Sequence, residues 1–153
     1  MPNTNKYASL IQLKETYSKT LLIRISNFNE EDDFDDYEDD NLINALQDAS
    51  DIMDGYLMGR YATPISPAPD YFKPDCMVIA VSKLVERKGY NTDTPDEQLY
   101  LAGKDLIKNR YMLIAMGKIE LSLPDSGGSS EPVSNVRSYA PTIHFSQDTL
   151  DKY

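Results

Sequence analysis

The amphipathic stretch from Asp40 to Pro64 constrains the fold of this chain more than any other feature. Apolar side chains recur in it at intervals of three and four residues, at Leu42, Ala45, Leu46, Ala49, Ile52, Met53, Tyr56 and Leu57. Polar side chains occupy the opposite side, at Asn44, Gln47, Asp48 and Asp51. This spacing predicts one long helix with a single buried face, beginning at Asp39 or Asp40, where carboxylates suit the helix dipole. Gly59 and the prolines that start at Pro64 predict its end.

Three further helical regions are predicted on either side of it. Residues 8–26 contain two short helical pieces, with Leu10, Leu13 and Tyr17 on one face of the first and Leu21, Leu22 and Ile25 on the second. Residues 70–88 form a helix with Phe72, Cys76, Ile79, Ala80 and Leu84 inward, ending at Gly89. Thr94 as N-cap, Pro95 at the first position and Glu97 in a capping box begin a helix that runs to about Met116. Its predicted inward residues are Leu99, Ala102, Leu106, Ile107, Leu113 and Ile114.

The C-terminal third changes in character. Residues 119–123 alternate apolar and polar side chains, which favours a short strand or an extended arm. Residues 124–135 have the composition of a flexible linker. The last segment regains apolar side chains that would contact a partner or a neighbouring subunit, at Tyr139, Ile143, Phe145, Leu150 and Tyr153. The sequence thus predicts a mainly α fold, a compact bundle of about four to five helices over residues 1–123, followed by a linker and interaction arm over residues 124–153.

Bulk properties limit the classes of protein to consider. With 153 residues the chain fits a single domain, and no apolar run approaches the roughly 18 to 20 residues that a bilayer span needs. We expect no membrane partner. The N-terminal residues lack a signal-peptide pattern, so synthesis in a cytoplasm is expected. Cys76, the single cysteine, lies in an apolar run and is interpreted as a core residue.

An acidic run gives the chain most of its net charge of −10. Residues 30–40 hold nine of the 25 acids, and the other 16 face 15 Lys and Arg, so the rest is close to neutral. Mutual repulsion predicts a solvated loop over residues 29–40. The spacing does not fit an EF-hand, because an EF-hand loop starting at Asp33 would place Glu38 where glycine is required. The sequence also has no basic stripe for DNA binding.

The residues that could take part in catalysis or metal binding do not form a recognisable active site. His144 is the only histidine, so neither a zinc site nor a catalytic triad is expected. Asp48, Asp51 and Asp54 share a helix and would be placed to bind a metal or to act as acid and base. We interpret the first two as solvated, and Asp54 as an ion-pair partner of a nearby cation or as a cap of a backbone group. Tyr56, Arg60 and Tyr61 would suit base stacking. We interpret them instead as packing residues, with the arginine anchoring the turn that follows.

The central stretch resembles a family of Mu-like phage and prophage proteins. Its members share a core pattern that this chain matches at Ala45, Leu46, Asp48, Ala49, Ser50, Asp54, Tyr56, Leu57, Arg60, Tyr61 and Pro64. The likeness extends to YASLIQLKETYS near the start, SPAPDYFKPDCMVIAVSKLVERKG after the core, YLAGKDLIKNRYMLIAMGKIEL and the terminal IHFSQDTLDKY. It departs from the family at EEDDFDDYEDD, where a short connection is usual.

The resemblance implies a small, helical, non-enzymatic virion protein without cofactors, placed at the neck between head and tail. Such a protein would act as a head-tail connector, or head-completion adaptor, that forms a homo-oligomeric ring. Its partners would be further copies of itself, the portal protein and a tail or stopper protein. DNA would pass through the ring without sequence-specific binding. Asp48, Asp54, Tyr56, Arg60, Tyr61 and Pro64 would then form a structural signature.

Two other interpretations remain open from the sequence. The first is a small acidic phage or prophage regulatory protein that binds one host partner through the acidic loop. The second is an enzyme that uses Asp54 together with Arg60.

Overall fold

The computed structural model describes residues 6–28 and 36–123. The helices in these ranges are α1 (Leu10–Thr16), α2 (Lys19–Ser26), α3 (Asp39–Leu57), α4 (Phe72–Lys88), α5 (Pro95–Leu106) and α6 (Met112–Ala115), with a π-helical segment (Ile107–Tyr111) joining the last two. No strand occurs in the described ranges, and residues 119–123 are irregular. The predicted mainly α helical bundle is therefore confirmed. Of the two alternatives for residues 119–123, the strand does not form.

Serine side chains begin both of the short N-terminal helices. Ser9 caps α1 in a complete capping box, in which its hydroxyl accepts from the Gln12 N–H and the Gln12 side chain accepts from the Ser9 N–H. Ser18 caps α2 by accepting from the Leu21 N–H. These caps separate the helical region of residues 8–26 into the two predicted pieces.

Helix α3 begins at Asp39, within the predicted bounds, and its apolar face is buried. Leu42, Leu46, Ala49, Met53 and Leu57 are all fully buried. Its first turn contains Asp39 and Asp40, although no side chain caps it. The helix packs against α4, which places its buried face at the centre of the molecule.

The connection from α3 to α4 contains two cis prolyl bonds, Thr63–Pro64 and Ser66–Pro67. Helix α4 then starts at Phe72 instead of the predicted position 70, after a turn at residues 70–71. All five of its predicted inward residues are buried. Gly89 ends the helix with a φ of 86°, a conformation that favours glycine.

Helix α5 begins at the predicted N-cap, but the Glu97 carboxylate accepts from a different backbone N–H than predicted. The Thr94 hydroxyl accepts from the Glu97 N–H, whereas the Glu97 carboxylate accepts from the Asp93 N–H and not from Thr94. The predicted capping box is therefore incomplete. Asp93 has a positive φ of 62°, which turns its N–H within reach of the glutamate.

The inward face of α5 also differs from the prediction. Ala102 is exposed, and Gly103 is buried against α4 in its place. The π-helical segment accommodates an extra residue in the helix. The inward-facing positions after it are therefore shifted relative to the spacing of a regular α-helix across Ile107–Tyr111. As a consequence Tyr111 is fully buried although the periodicity did not select it. Gly117, with a φ of 75°, follows α6 as predicted.

Two predicted regions fall outside the described residues. Residues 29–35 contain most of the acidic loop, and residues 124–153 contain the linker and the arm with Tyr139, Ile143, Phe145, Leu150 and Tyr153. Within the described ranges, no helix combines the length and the hydrophobicity required to cross a membrane.

Candidate functional site

The six signature residues are distributed along α3 and the turn that follows it. Asp54 is buried, with 8% of its surface exposed. Tyr56, Arg60 and Tyr61 are half-buried, whereas Asp48 and Pro64 are exposed. The polar side chains near the end of α3 each contact a different segment of the chain. We call these contacts the α3-end network.

Asp54 holds the N-terminal segment against α3. Asp54 accepts a hydrogen bond from the Tyr7 hydroxyl. It also forms an ion pair with Lys6, with an Nζ–Oδ2 distance of 3.0 Å. Lys6 also pairs with Asp51 at 2.7 Å, and both contacts raise the pKa of the lysine. Burial, followed by the hydrogen bond to Asp54, raises the pKa of Tyr7. The interpretation of Asp54 as an ion-pair partner agrees with this geometry.

Tyr7 extends this contact to the proline-containing connection. Its hydroxyl donates to Asp54 and accepts from the Ile65 N–H at 3.0 Å. Its ring lies edge-on against Phe72 of α4, with 5.0 Å between the ring centroids. One buried hydroxyl therefore joins the N-terminal segment, α3 and the backbone between the two cis prolines.

Arg60, which lies in the turn that follows α3, contacts the end of α6. Its Nη1 donates to the Ile114 carbonyl at 3.2 Å. A Cβ at Gly117 would lie 2.5 Å from the same Nη1, and the positive φ there already favours glycine. Glycine at this position lets the guanidinium cap the last turn of α6.

Tyr61 holds the segment that leads out of the bundle. Its hydroxyl accepts from the Leu121 N–H at 3.2 Å, and the Leu121 side chain is buried. Residues beyond 123 therefore depart from a fixed point near the end of α3. Asp54, Arg60 and Tyr61 together tie three separate segments to one helix end.

A second polar cluster, on α4, was not predicted. Asp75 is buried, accepts from the Tyr111 hydroxyl at 2.9 Å and pairs with Arg110. Arg110 also lies over the ring of Tyr71, 5.2 Å from its centroid. Burial and then the Asp75 charge raise the pKa of Tyr111, and the hydrogen bond to Asp75 raises that of Arg110. An aspartate inside the otherwise apolar pattern of α4 was the available signal.

A groove on the outer side of α3 contains the remaining signature tyrosine. Its cavity of about 410 Å³ is lined by Ile52, Gly55, Tyr56, Lys83, Lys104 and Ile107. We call it the α3–α5 groove. A neighbouring cavity of about 450 Å³ shares Ile52 and Lys83 and adds Asp48 and Asp51. The predicted outward residues of α3 thus border a concave surface.

The two sides of the acidic segment meet at its base. The Ser26 hydroxyl accepts from the Glu38 N–H at 3.1 Å, and the Asn41 side chain donates to the Ser26 carbonyl at 2.8 Å. The Asn27 side chain donates to the Asp36 carbonyl at 3.2 Å. Residues 28 and 36 therefore lie at one place beside the start of α3.

The three candidate aspartates do not form a metal site. In residues 6–28 and 36–123, no group of three or more His, Cys, Asp or Glu side chains comes close enough to hold an ion. Asp48 is exposed, Asp51 faces Lys6 and Gln47, and Asp54 faces Lys6 and Tyr7. Asp54 and Arg60, the pair considered for catalysis, also have separate partners.

Comparison with known families now adds to this geometry. A family model described as Bacteriophage Mu, Gp36 matches residues 7–138. The chain belongs to the Gp36 family. No curated protein matches it. The match begins at Tyr7 and includes every residue of the α3-end network except Lys6.

Membership of the Gp36 family makes this a protein of Mu-like phages. The resemblance found in the sequence is therefore confirmed at the level of the family and of its phage origin. The acidic segment lies inside the matched range.

Proposed function

We propose that this Gp36-family protein is a non-enzymatic component of the phage neck that connects head to tail. In this role several copies form a ring between the portal protein and a tail or stopper protein. The observation that supports the proposal best is the α3-end network. Its signature side chains are used to hold the chain's own segments together, which suits a scaffold for assembly.

The exit point of the C-terminal residues supports the same role. Because Tyr61 and the burial of Leu121 fix the path up to residue 123, the following residues start from a defined position on the bundle. A ring requires a repeated contact between copies, and an arm with spaced apolar side chains is one common way to make it. Tyr139, Ile143, Phe145, Leu150 and Tyr153 supply such side chains.

The decisive experiment is mass spectrometry of purified virions, combined with imaging of particles in which the protein is tagged. We expect the protein in the particle and the tag at the junction of head and tail. Absence of the protein from washed, infectious particles would overturn the proposal. An identical preparation from a phage lacking the gene controls for contamination by host-cell material.

Two matched truncations test whether the arm is required for assembly. Deletion after Leu123 keeps the buried Leu121 and should leave the helical circular dichroism spectrum intact while incorporation into particles is lost. Deletion after Ile119 also removes Leu121 and the hydrogen bond to Tyr61, so it should lower the melting temperature as well. Normal incorporation of the first truncation would show that the arm is not the contact.

A regulatory protein that binds one host partner through its acidic segment is the second candidate. The observation in its favour is that Ser26 and Asn27 hold the two described sides of that segment together, through the Glu38 N–H and the Asp36 carbonyl. The two candidates separate cleanly, because a regulator would be found in infected cells and be missing from the particle.

A further inference from the structure

Gly55 in the α3–α5 groove has no explanation within the described part of the chain. A Cβ added there would meet nothing within 4 Å. The other mid-helix glycine, Gly103, is different, because its Cβ would lie 2.3 Å from the Ser82 Cβ across the contact between α4 and α5. Glycine weakens the interior of a helix, so its presence usually reflects the close approach of another group. At Gly55 we infer that such a group lies outside the described residues.

The groove around Gly55 has a definite chemical character. Ile52, Tyr56 and Ile107 give it half-buried apolar walls. Lys83 and Lys104 stand at its edge and both pair with Glu86, at 2.9 and 3.3 Å, so two cations share one carboxylate. The groove therefore suits an acidic segment with apolar side chains, whose backbone passes close to α3 at Gly55.

A segment near the C-terminal end of this sequence has that chemistry. Residues 143–151, IHFSQDTLD, combine Ile143, Phe145 and Leu150 with two carboxylates, Asp148 and Asp151, and contain neither Lys nor Arg. About 20 residues separate this segment from Leu123, and a chain of that length spans at most roughly 65 Å. That reach is sufficient for an adjacent subunit.

We propose that the α3–α5 groove binds residues 143–151 of a neighbouring copy. The proposal rests on the assembly role given above and names the surface that receives the arm. In this contact Phe145 and Leu150 pack against the apolar side chains that line the groove. Asp148 and Asp151 form ion pairs with Lys83 and Lys104. Because every copy has both a groove and an arm, the contact is heterologous and repeats from one copy to the next, as a closed ring requires.

Binding of a fluorescent peptide of residues 139–153 tests the contact directly by anisotropy. The receiving protein is the full chain with Phe145→Ala and Leu150→Ala, so that its own arm does not compete. We expect saturable binding that weakens at least tenfold in Gly55→Leu. Gly59→Leu is the matched control, since a Cβ at Gly59 also meets nothing within 4 Å but lies outside the groove lining. No saturable binding, or equal binding by the two leucine variants, would overturn the proposal.

Charge reversal separates a docking effect from a folding defect. Lys83→Glu with Lys104→Glu should weaken the natural peptide, and a peptide with Asp148→Lys and Asp151→Lys should restore binding to that variant. A merely misfolded groove would not discriminate between the peptides, and equal weakening of both would count against the proposal.

The unmodified chain distinguishes the neighbouring arm from the chain's own arm. At submicromolar concentration its groove should be free and bind the peptide. If the peptide is excluded there but binds the Phe145→Ala/Leu150→Ala chain, the arm docks within one copy and the neighbouring-copy contact is refuted. Peptide binding is independent of virion location, so failure here leaves the neck proposal standing, and absence from the virion leaves the binding result standing.

Discussion

Replacing Gly103 with alanine should destabilise the protein, whereas the same replacement at Gly55 should stabilise it. Both residues lie inside helices, so alanine gains about 1 kcal/mol of helix propensity at either position. The difference comes from the surroundings. The Gly103 Cβ would lie 2.3 Å from the Ser82 Cβ and 2.5 Å from its Oγ, while the Gly55 Cβ would meet nothing within 4 Å.

The size of the Gly103 effect follows from what must move. Ordinary carbon contacts lie near 3.5–4.0 Å, so α5 must shift away from α4 by more than about 1 Å, and overpacking of this kind costs about 1–3 kcal/mol. The shift also strains the bond from the Ser82 hydroxyl to the Tyr100 carbonyl, now 2.9 Å long, which is worth about 1 kcal/mol. After the propensity gain, Gly103→Ala should lose about 1–3 kcal/mol, and Gly55→Ala should gain about 1 kcal/mol.

Urea unfolding followed by far-ultraviolet circular dichroism measures both free energies of unfolding. In thermal scans the Gly103 variant should melt lower by several degrees, at about 2–4 °C per kcal/mol for a domain of this size. Adding Ser82→Gly to Gly103→Ala removes the opposing Cβ and should recover part of the loss. Stabilisation by Gly103→Ala comparable to that by Gly55→Ala would refute the argument from close approach of α4 and α5.

Three further predictions concern single polar or sulfur groups. Tyr7→Phe removes a buried hydroxyl that serves both Asp54 and the Ile65 N–H, so it should cost about 3 kcal/mol in urea unfolding, and an unchanged midpoint would contradict the role given to it. Hydrogen bonds from Arg24 lower the pKa of the Asp96 carboxyl, so this pair stabilises the fold above the unfolded-state pKa of about 3.9 and the effect is lost as pH falls through the lower folded value. Asp96→Asn should therefore make the melting temperature fall less steeply as the pH decreases below about 4. The corresponding change in the free energy of unfolding should be less than about 1 kcal/mol, because Arg24 is partly exposed. An unaltered pH profile would contradict this role of the pair. Burial raises the pKa of Cys76 to about 11, so a thiol reagent should label it only on unfolding, and rapid labelling of the native protein would count against the core position.

The helices were predictable because their signals are local. Periods of three and four residues identify the buried face of α3 within one stretch of chain, and Thr94 and Pro95 mark the start of α5 within two residues. The capping box at Ser9 also has a local signal, since glutamine follows three positions later. The register change at Ile107–Tyr111 was not predictable from a fixed helical period, and for this reason the period did not identify Tyr111 as buried.

The partners of the signature side chains could not be predicted from local sequence patterns. Lys6 and Tyr7 reach Asp54 from 48 and 47 residues away, and Arg60 reaches the Ile114 carbonyl across 54. Nothing in the spacing of one sequence pairs such distant groups. The pattern left Asp54 as the partner of a cation or as a cap of a backbone group, and only the fold identifies Lys6 and Tyr7 as its partners. For Arg60 the pattern predicted an anchor for the turn, and only the fold identifies the Ile114 carbonyl as its acceptor.

The distribution of these contacts divides α3 into two functional sides. Its inward face and its C-terminal end are occupied by the chain itself, through the core and through Asp54. Its outward face has a glycine that the described part of the chain does not require, beside a groove with two lysines. A helix that only completes a core would favour alanine at that position, because alanine adds stability there at no steric cost. The stability of one copy therefore does not account for Gly55, whereas the proposed contact with a neighbouring copy does.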